Sequence, residues 1–109
     1  MTVRAGSTVD RERFRDIDSA LTGVESAARR LADGAEARPV DTKLLRRIEP
    51  VHQVIARIEL AGPGRLRGGI DVRGDGSTEA YTGRLRRRVV EQRKGESAYD
   101  ALRRAVTAR

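Results

Sequence analysis

Val51-His52-Gln53-Val54-Ile55-Ala56-Arg57-Ile58-Glu59-Leu60 is where the chain changes its period. On an extended backbone Val54, Ala56, Ile58 and Leu60 share one side, and Gln53, Ile55, Arg57 and Glu59 share the other. Alternation every second residue, carried by β-branched side chains, predicts a strand with one face on a core. Upstream the period is helical. Phe14, Ile17, Leu21, Val24, Ala28 and Leu31 recur at spacings of three and four and form one apolar stripe. A helical stripe followed by alternating strands places the chain in the α+β class.

Working outward toward the N-terminus, Thr2–Ala5 reads as a first strand that Gly6 and Ser7 break. Thr8 or Asp10 is placed to cap a helix from Arg11 to Asp33. Gly34 reads as its stop, with Arg29 and Arg30 near the negative end of its dipole. After a loop with Pro39, Asp41 caps a short second helix, Thr42 to Glu49, which Pro50 ends.

Working toward the C-terminus, Ala61-Gly62-Pro63-Gly64 is turn chemistry. A second strand follows at about Leu66–Val72, where Gly68 and Gly69 point to a bulge. Gly74-Asp75-Gly76 is another turn. Residues 77–95 admit both periods, because Leu85 and Val89 share a face on a helix and on a strand. The pair Val89-Val90 tips the reading toward a strand at about Leu85–Arg93, with Leu85 and Val89 facing the core. Ser97 and Asp100 form a capping box for a last helix with Tyr99, Leu102 and Val106 on its apolar face. The economical architecture is a small, antiparallel-containing sheet of three to four strands with helices packed on one face. Its order is β-α-(α)-β-β-β-α, in a single domain covering residues 1–109.

Composition narrows the chemistry. Phe14, Tyr81 and Tyr99 are the only aromatic residues, so the core is aliphatic. With no cysteine, disulfides, zinc fingers and thiol catalysis are excluded. No apolar run is long enough to span a bilayer and no secretory apolar segment opens the chain, so a cytoplasmic protein without membrane contact is expected. His52, the sole histidine, has no nucleophile or ligand cluster around it. Arg67-Gly68-Gly69, Arg73-Gly74-Asp75 and Gly62-Pro63-Gly64 read as turns and strand glycines, not recognition motifs. Nothing assembles a nucleophile, a base and an oxyanion site. The expectation is a protein that is not an enzyme, with no catalytic residue, cofactor, metal or small-molecule substrate.

Charge points elsewhere. Residues 1–50 carry ten cations and nine anions, whereas residues 51–109 carry thirteen and seven. The run Arg84-Leu85-Arg86-Arg87-Arg88-Val89-Val90-Glu91-Gln92-Arg93-Lys94 holds six cations and one anion. Such density repels itself unless a polyanion is near, and arginine forks grip phosphate bidentately. Arg84, Arg86, Arg87, Arg88, Arg93 and Lys94 are therefore candidate nucleic-acid contacts, extended by Arg103 and Arg104 on the last helix. A solvated edge strand, kept charged to discourage sheet pairing, explains the same run without a ligand. Two other functions compete. One is a small DNA-binding regulator with 84–93 as a recognition helix. The other is a structural or adaptor protein, such as a phage or assembly component, that forms a homodimer through the 14–31 helix.

The residues from Ile48 to Leu60 and from Arg88 to Leu102 resemble the ribosome hibernation-promoting factor family, also called the ribosome-associated inhibitor or sigma-54-modulation family. The match is best at Arg88-Val89-Val90-Glu91-Gln92-Arg93-Lys94-Gly95-Glu96-Ser97-Ala98-Tyr99-Asp100-Ala101-Leu102, which is similar to that family's last strand, turn and final helix. The resemblance implies a four-stranded β-α-β-β-β-α fold of the short form. It also implies binding to ribosomal RNA on the small subunit, silencing idle ribosomes under stress. Arg86, Arg87, Arg88, Arg93 and Lys94 on the strand, with Arg103 and Arg104 on the helix, would be the contacts it implies. The chain departs from the pattern in its longer links before Val51 and between Val72 and Leu85.

Overall fold

The computed structural model describes residues 1–37, 53–62, 66–83 and 86–107. The elements are β1 (Thr2–Ala5), β2 (Thr8–Arg11), α1 (Ile17–Ala37), β3 (Val54–Ala61), β4 (Arg67–Arg73), β5 (Thr78–Thr82), β6 (Arg88–Val90) and α2 (Ala98–Thr107). The α+β class holds. The sheet has six strands where three to four were expected, in the order β2-β1-β3-β4-β5-β6, with every neighbouring pair antiparallel. The predicted helix Thr42–Glu49, together with His52 and Pro63, lies outside the described residues.

The extra strands have local causes. Gly6-Ser7 does not end the first strand; it turns it back into β2, with Ala5 opposite Thr8. Gly6 has φ +59° and is the first central residue of this two-residue turn. A type II′ hairpin turn, whose twist matches the strands it joins, favours glycine there. Thr8 and Asp10 are therefore strand residues rather than caps, and the helix starts later, at Ile17. Asp16 caps it, accepting a 2.7 Å hydrogen bond from the Ser19 amide. That bond holds the Asp16 carboxyl below the ordinary range. At the other end α1 runs through Gly34 to Ala37, so Arg29 and Arg30 stand in its body rather than its last turn.

In the second half, Gly74-Asp75-Gly76 makes the expected turn, with Asp75 accepting from the Ser77 amide at 2.9 Å. It leads into β5, inside the 77–95 stretch whose sequence admits both periods. The strand expected over Leu85–Arg93 is only Arg88–Val90. The bulge expected at Gly68-Gly69 is absent from β4 and sits across the ladder, where the register shifts between Val54 and Ala56. The shift sends Val54 to the outer side, 41% exposed, while Ala56, Ile58 and Leu60 stay buried as expected.

Both helices cover the same side of the sheet. Leu21, Val24 and Ala28 of α1 and Ala101, Leu102 and Val106 of α2 join Ile58, Ile70, Val72 and Ala80 in one core. Alanines at 20, 27, 28, 32 and 35 line the buried side of α1. Ser97 and Asp100 cap α2 reciprocally, amide to side chain at 3.1 and 3.2 Å, as the capping box predicts. Among the described residues no helix is long and apolar enough to cross a membrane. The opposite side of the sheet carries no helix among the described residues, and it frames the site.

Candidate nucleic-acid interface

The basic run divides into three groups. Arg84 lies outside the described residues, as does Leu85. Arg86, Arg88, Arg93 and Lys94 are exposed, along the β6 edge and the turn after it. None of these four makes an ion pair among the described residues. Arg87, Arg103 and Arg104 are engaged. Arg87 reaches Asp71 at 2.5 Å, Arg103 reaches Asp18 at 2.6 Å, and Arg104 reaches Glu96 at 2.9 Å. Three predicted contacts thus each meet a carboxylate.

The strand's sidedness also differs from the expectation. Val89 was expected on the core and is 57% exposed; Val90 packs against the core instead. The ladder sets Val90 opposite Ala80 and Val89 opposite Tyr81. Two adjacent valines satisfy alternation in either phase, so period alone cannot choose between them.

Glu96 organises the junction between β6 and α2. Its carboxylate accepts from both Nε and Nη2 of Arg104, at 2.9 and 3.0 Å, and from the Arg93 amide at 2.8 Å. Arg104 also donates to the Glu91 carbonyl at 2.9 Å. The Arg104 bonds, then the Arg93 amide, pull the Glu96 carboxyl down to about 2. The turn that presents Arg93 and Lys94 is therefore held at a fixed angle to α2.

On the helix-free side, register assembles a second cluster. Arg57 stands opposite Asp71, and Tyr81 opposite Gly69. Asp71, 7% exposed, accepts from Arg57 Nε at 2.8 Å and from Arg87 Nη2 at 2.5 Å. The Arg87 guanidinium lies 3.9 Å from the centre of the Tyr81 ring, a cation–π stack that covers it. Burial, with Glu59 adding to it, pushes the Tyr81 hydroxyl up to about 12. Around this centre Arg73 pairs with Glu79 at 2.6 Å and Arg4 with Glu59 at 3.4 Å.

This second cluster is not legible along the chain: alternation puts Arg57 on the polar face of its strand and does not connect Arg67, Asp71 or Tyr81 to it. Parity along β3 and β4 gives the side each residue faces; only the strand pairing says which ones meet.

Fold and surface together define an α+β sheet protein with a cationic edge and an arginine-rich open face. No protein-family model matches the chain, and no curated protein or solved structure matches it either.

Proposed function

We propose that this chain binds structured RNA and acts on the ribosome, in the manner of a hibernation or translation-inhibiting factor, by electrostatic and steric occupation. The observation that carries the reading is the set Arg86, Arg88, Arg93 and Lys94: four exposed cations, without a carboxylate partner among the described residues, on one edge and its adjoining turn. A rigid edge of this kind suits recognition by shape and phosphate position rather than by base. Tyr81 lies under Arg87 and Tyr99 under Arg29, which leaves few rings for stacking single-stranded bases. Ribosomal RNA of the small subunit, met in the cytoplasm, is the partner this reading names.

Two observations support this reading over the competing functions. A DNA-reading helix over 84–93 conflicts with the strand at Arg88–Val90. The 14–31 stripe is covered by the chain's own sheet at Leu21, Val24 and Ala28.

The test changes Arg86, Arg88, Arg93 and Lys94 together to Ala and leaves Arg87 in place, because Arg87 braces Asp71. Retention on a structured RNA and co-sedimentation with small ribosomal subunits are followed across salt concentration. The slope of log affinity on log salt should flatten by about one for each phosphate contact removed. Retention and slope equal to those of the native chain would remove this edge from consideration.

A further inference from the structure

We propose that the open sheet face carries a separate phosphate-binding hollow, built from Arg57, Arg67 and Arg87 around the Tyr81 hydroxyl. These four side chains, with Glu59, line a depression of about 350 Å³ on the side away from the helices. That volume is at the small end of ligand sites, enough for a phosphate group with a short substituent.

The geometry prepares the guanidinium groups. Asp71 takes Arg57 by Nε and Arg87 by one Nη2. Both terminal amino groups of Arg57 are left without a protein partner among the described residues. Arg67 donates one Nη1 to the Leu66 carbonyl at 2.7 Å and meets no carboxylate among the described residues. The Tyr81 hydroxyl makes no hydrogen bond among the described residues, and as a phenol it is a donor at neutral pH. Charge agrees: Arg4, Arg57, Arg67 and Arg87 stand against Glu59 and Asp71, an excess of two positive charges. Planar forks with spare N–H groups match phosphate oxygens in pairs. A buried carboxylate that fixes two guanidinium groups from behind limits the ordering cost at binding.

The hollow is independent of the RNA reading, since none of the four edge cations lines it. The phosphate could come from a free small molecule or from an RNA backbone, and the experiment separates the two. The folded full chain is titrated at low ionic strength with inorganic phosphate, with adenosine monophosphate and with an RNA hairpin, while the Arg Nε–H and Tyr ring signals are followed by NMR. A matched chloride titration is the control. Saturable shifts confined to Arg57, Arg67, Arg87 and Tyr81 are expected. Arg67→Ala should weaken phosphate binding about tenfold or more, the scale of one charge-assisted hydrogen-bond pair. Glu59→Gln should strengthen it, because it removes the one carboxylate facing the ligand. If Arg67→Ala does not fold, Arg67→Lys and Glu59→Gln still test the direction. Shifts at these four residues with the hairpin alone would identify a backbone phosphate as the ligand.

Shifts that rise linearly and equally at Arg86, Arg88 and Arg93, or no shift with any of the three probes, would overturn the hollow. RNA retention that depends on the edge cations while these four signals stay still would sink the hollow and leave the RNA reading standing. Saturable phosphate binding without RNA retention would do the reverse.

Discussion

Gly69 has no side chain because Tyr81 and the neighbouring strand occupy the space. A Cβ built there would stand 2.6 Å from the Tyr81 hydroxyl oxygen and 2.2 Å from the Ile58 carbonyl oxygen. The tyrosine could swing away, but the carbonyl belongs to the β3 ladder and cannot. Gly69→Ala should therefore destabilise the fold by about 1–3 kcal/mol, the usual range for overpacking, read as a lower midpoint in urea. Tyr81 supplies a second residue-scale prediction. Its hydroxyl ionises near 12 in the fold against an ordinary value of 10. Between those values the unfolded chain loses its proton first, so this contribution to stability is whole below pH 10 and fades as pH rises toward 12. In a Tyr99→Phe background, ultraviolet titration of the remaining phenol should show ionisation only near pH 12, and Arg87→Ala, which uncovers the ring, should alter that curve. None of this could be read along the chain. Gly69 looked like a bulge, and the residue that explains it belongs to another strand and becomes its neighbour only through register.

The junction from β6 into α2 is the element whose chemistry responds to acid. Glu96 is depressed to about 2 by Arg104 and the Arg93 amide, from an ordinary 4.5. A depressed carboxylate stabilises the fold above its unfolded pKa and stops doing so as pH falls through the folded one. Glu96 should accordingly contribute fully above pH 4.5, and its share should drain away between there and about 2. Comparing urea midpoints of the native chain and Glu96→Gln across that window checks the sign. The two curves should converge as pH falls, and parallel curves would mean that the Arg104 contact adds nothing. At the start of α1, Asp16→Ala removes the bond to Ser19 and should lower the urea midpoint. Elements differ in how far the sequence discloses them. The capping box before α2 was legible because both its partners lie within one turn. The alternating strand at β3 was legible because its face is buried. The β1–β2 hairpin was missed although Gly-Ser between two short runs is a recognised hairpin signal, because Thr8 and Asp10 also make acceptable helix caps. β6 is a strand within the expected Leu85–Arg93 stretch, but it is only Arg88–Val90 and in the opposite phase, since two adjacent valines carry no information about side.

At the scale of the molecule, one side of the sheet is covered by both helices and the other is faced with arginines held by three carboxylates, Glu59, Asp71 and Glu79. The charge asymmetry between the two halves of the sequence foretold a basic surface. It could not foretell that the arginines would divide between a bare edge and a braced face, because that division depends on which carboxylates the ladder brings alongside. The same layering bears on oligomerisation. A helix that kept its apolar stripe for a second copy would leave its own sheet uncovered, yet Val24, at the centre of the 14–31 stripe, is 1% exposed within a single chain. Among the described residues the chain's own sheet supplies the cover for this stripe. Val24→Asp separates the two cases. If the stripe were a dimer seam, the variant would be a folded monomer. With the stripe in the core, an unpaired carboxylate meets Ile58 and Ile70 in one cluster. Burying such a charge costs several kcal/mol, a large part of the ~5–15 kcal/mol that stabilises a typical domain. The variant should lose its cooperative transition altogether. The native chain should unfold at a midpoint that does not move with protein concentration, since a fold that needs no second copy has no mass-action term. A midpoint that climbs with concentration, or a folded Val24→Asp monomer, would show that a second copy completes the core.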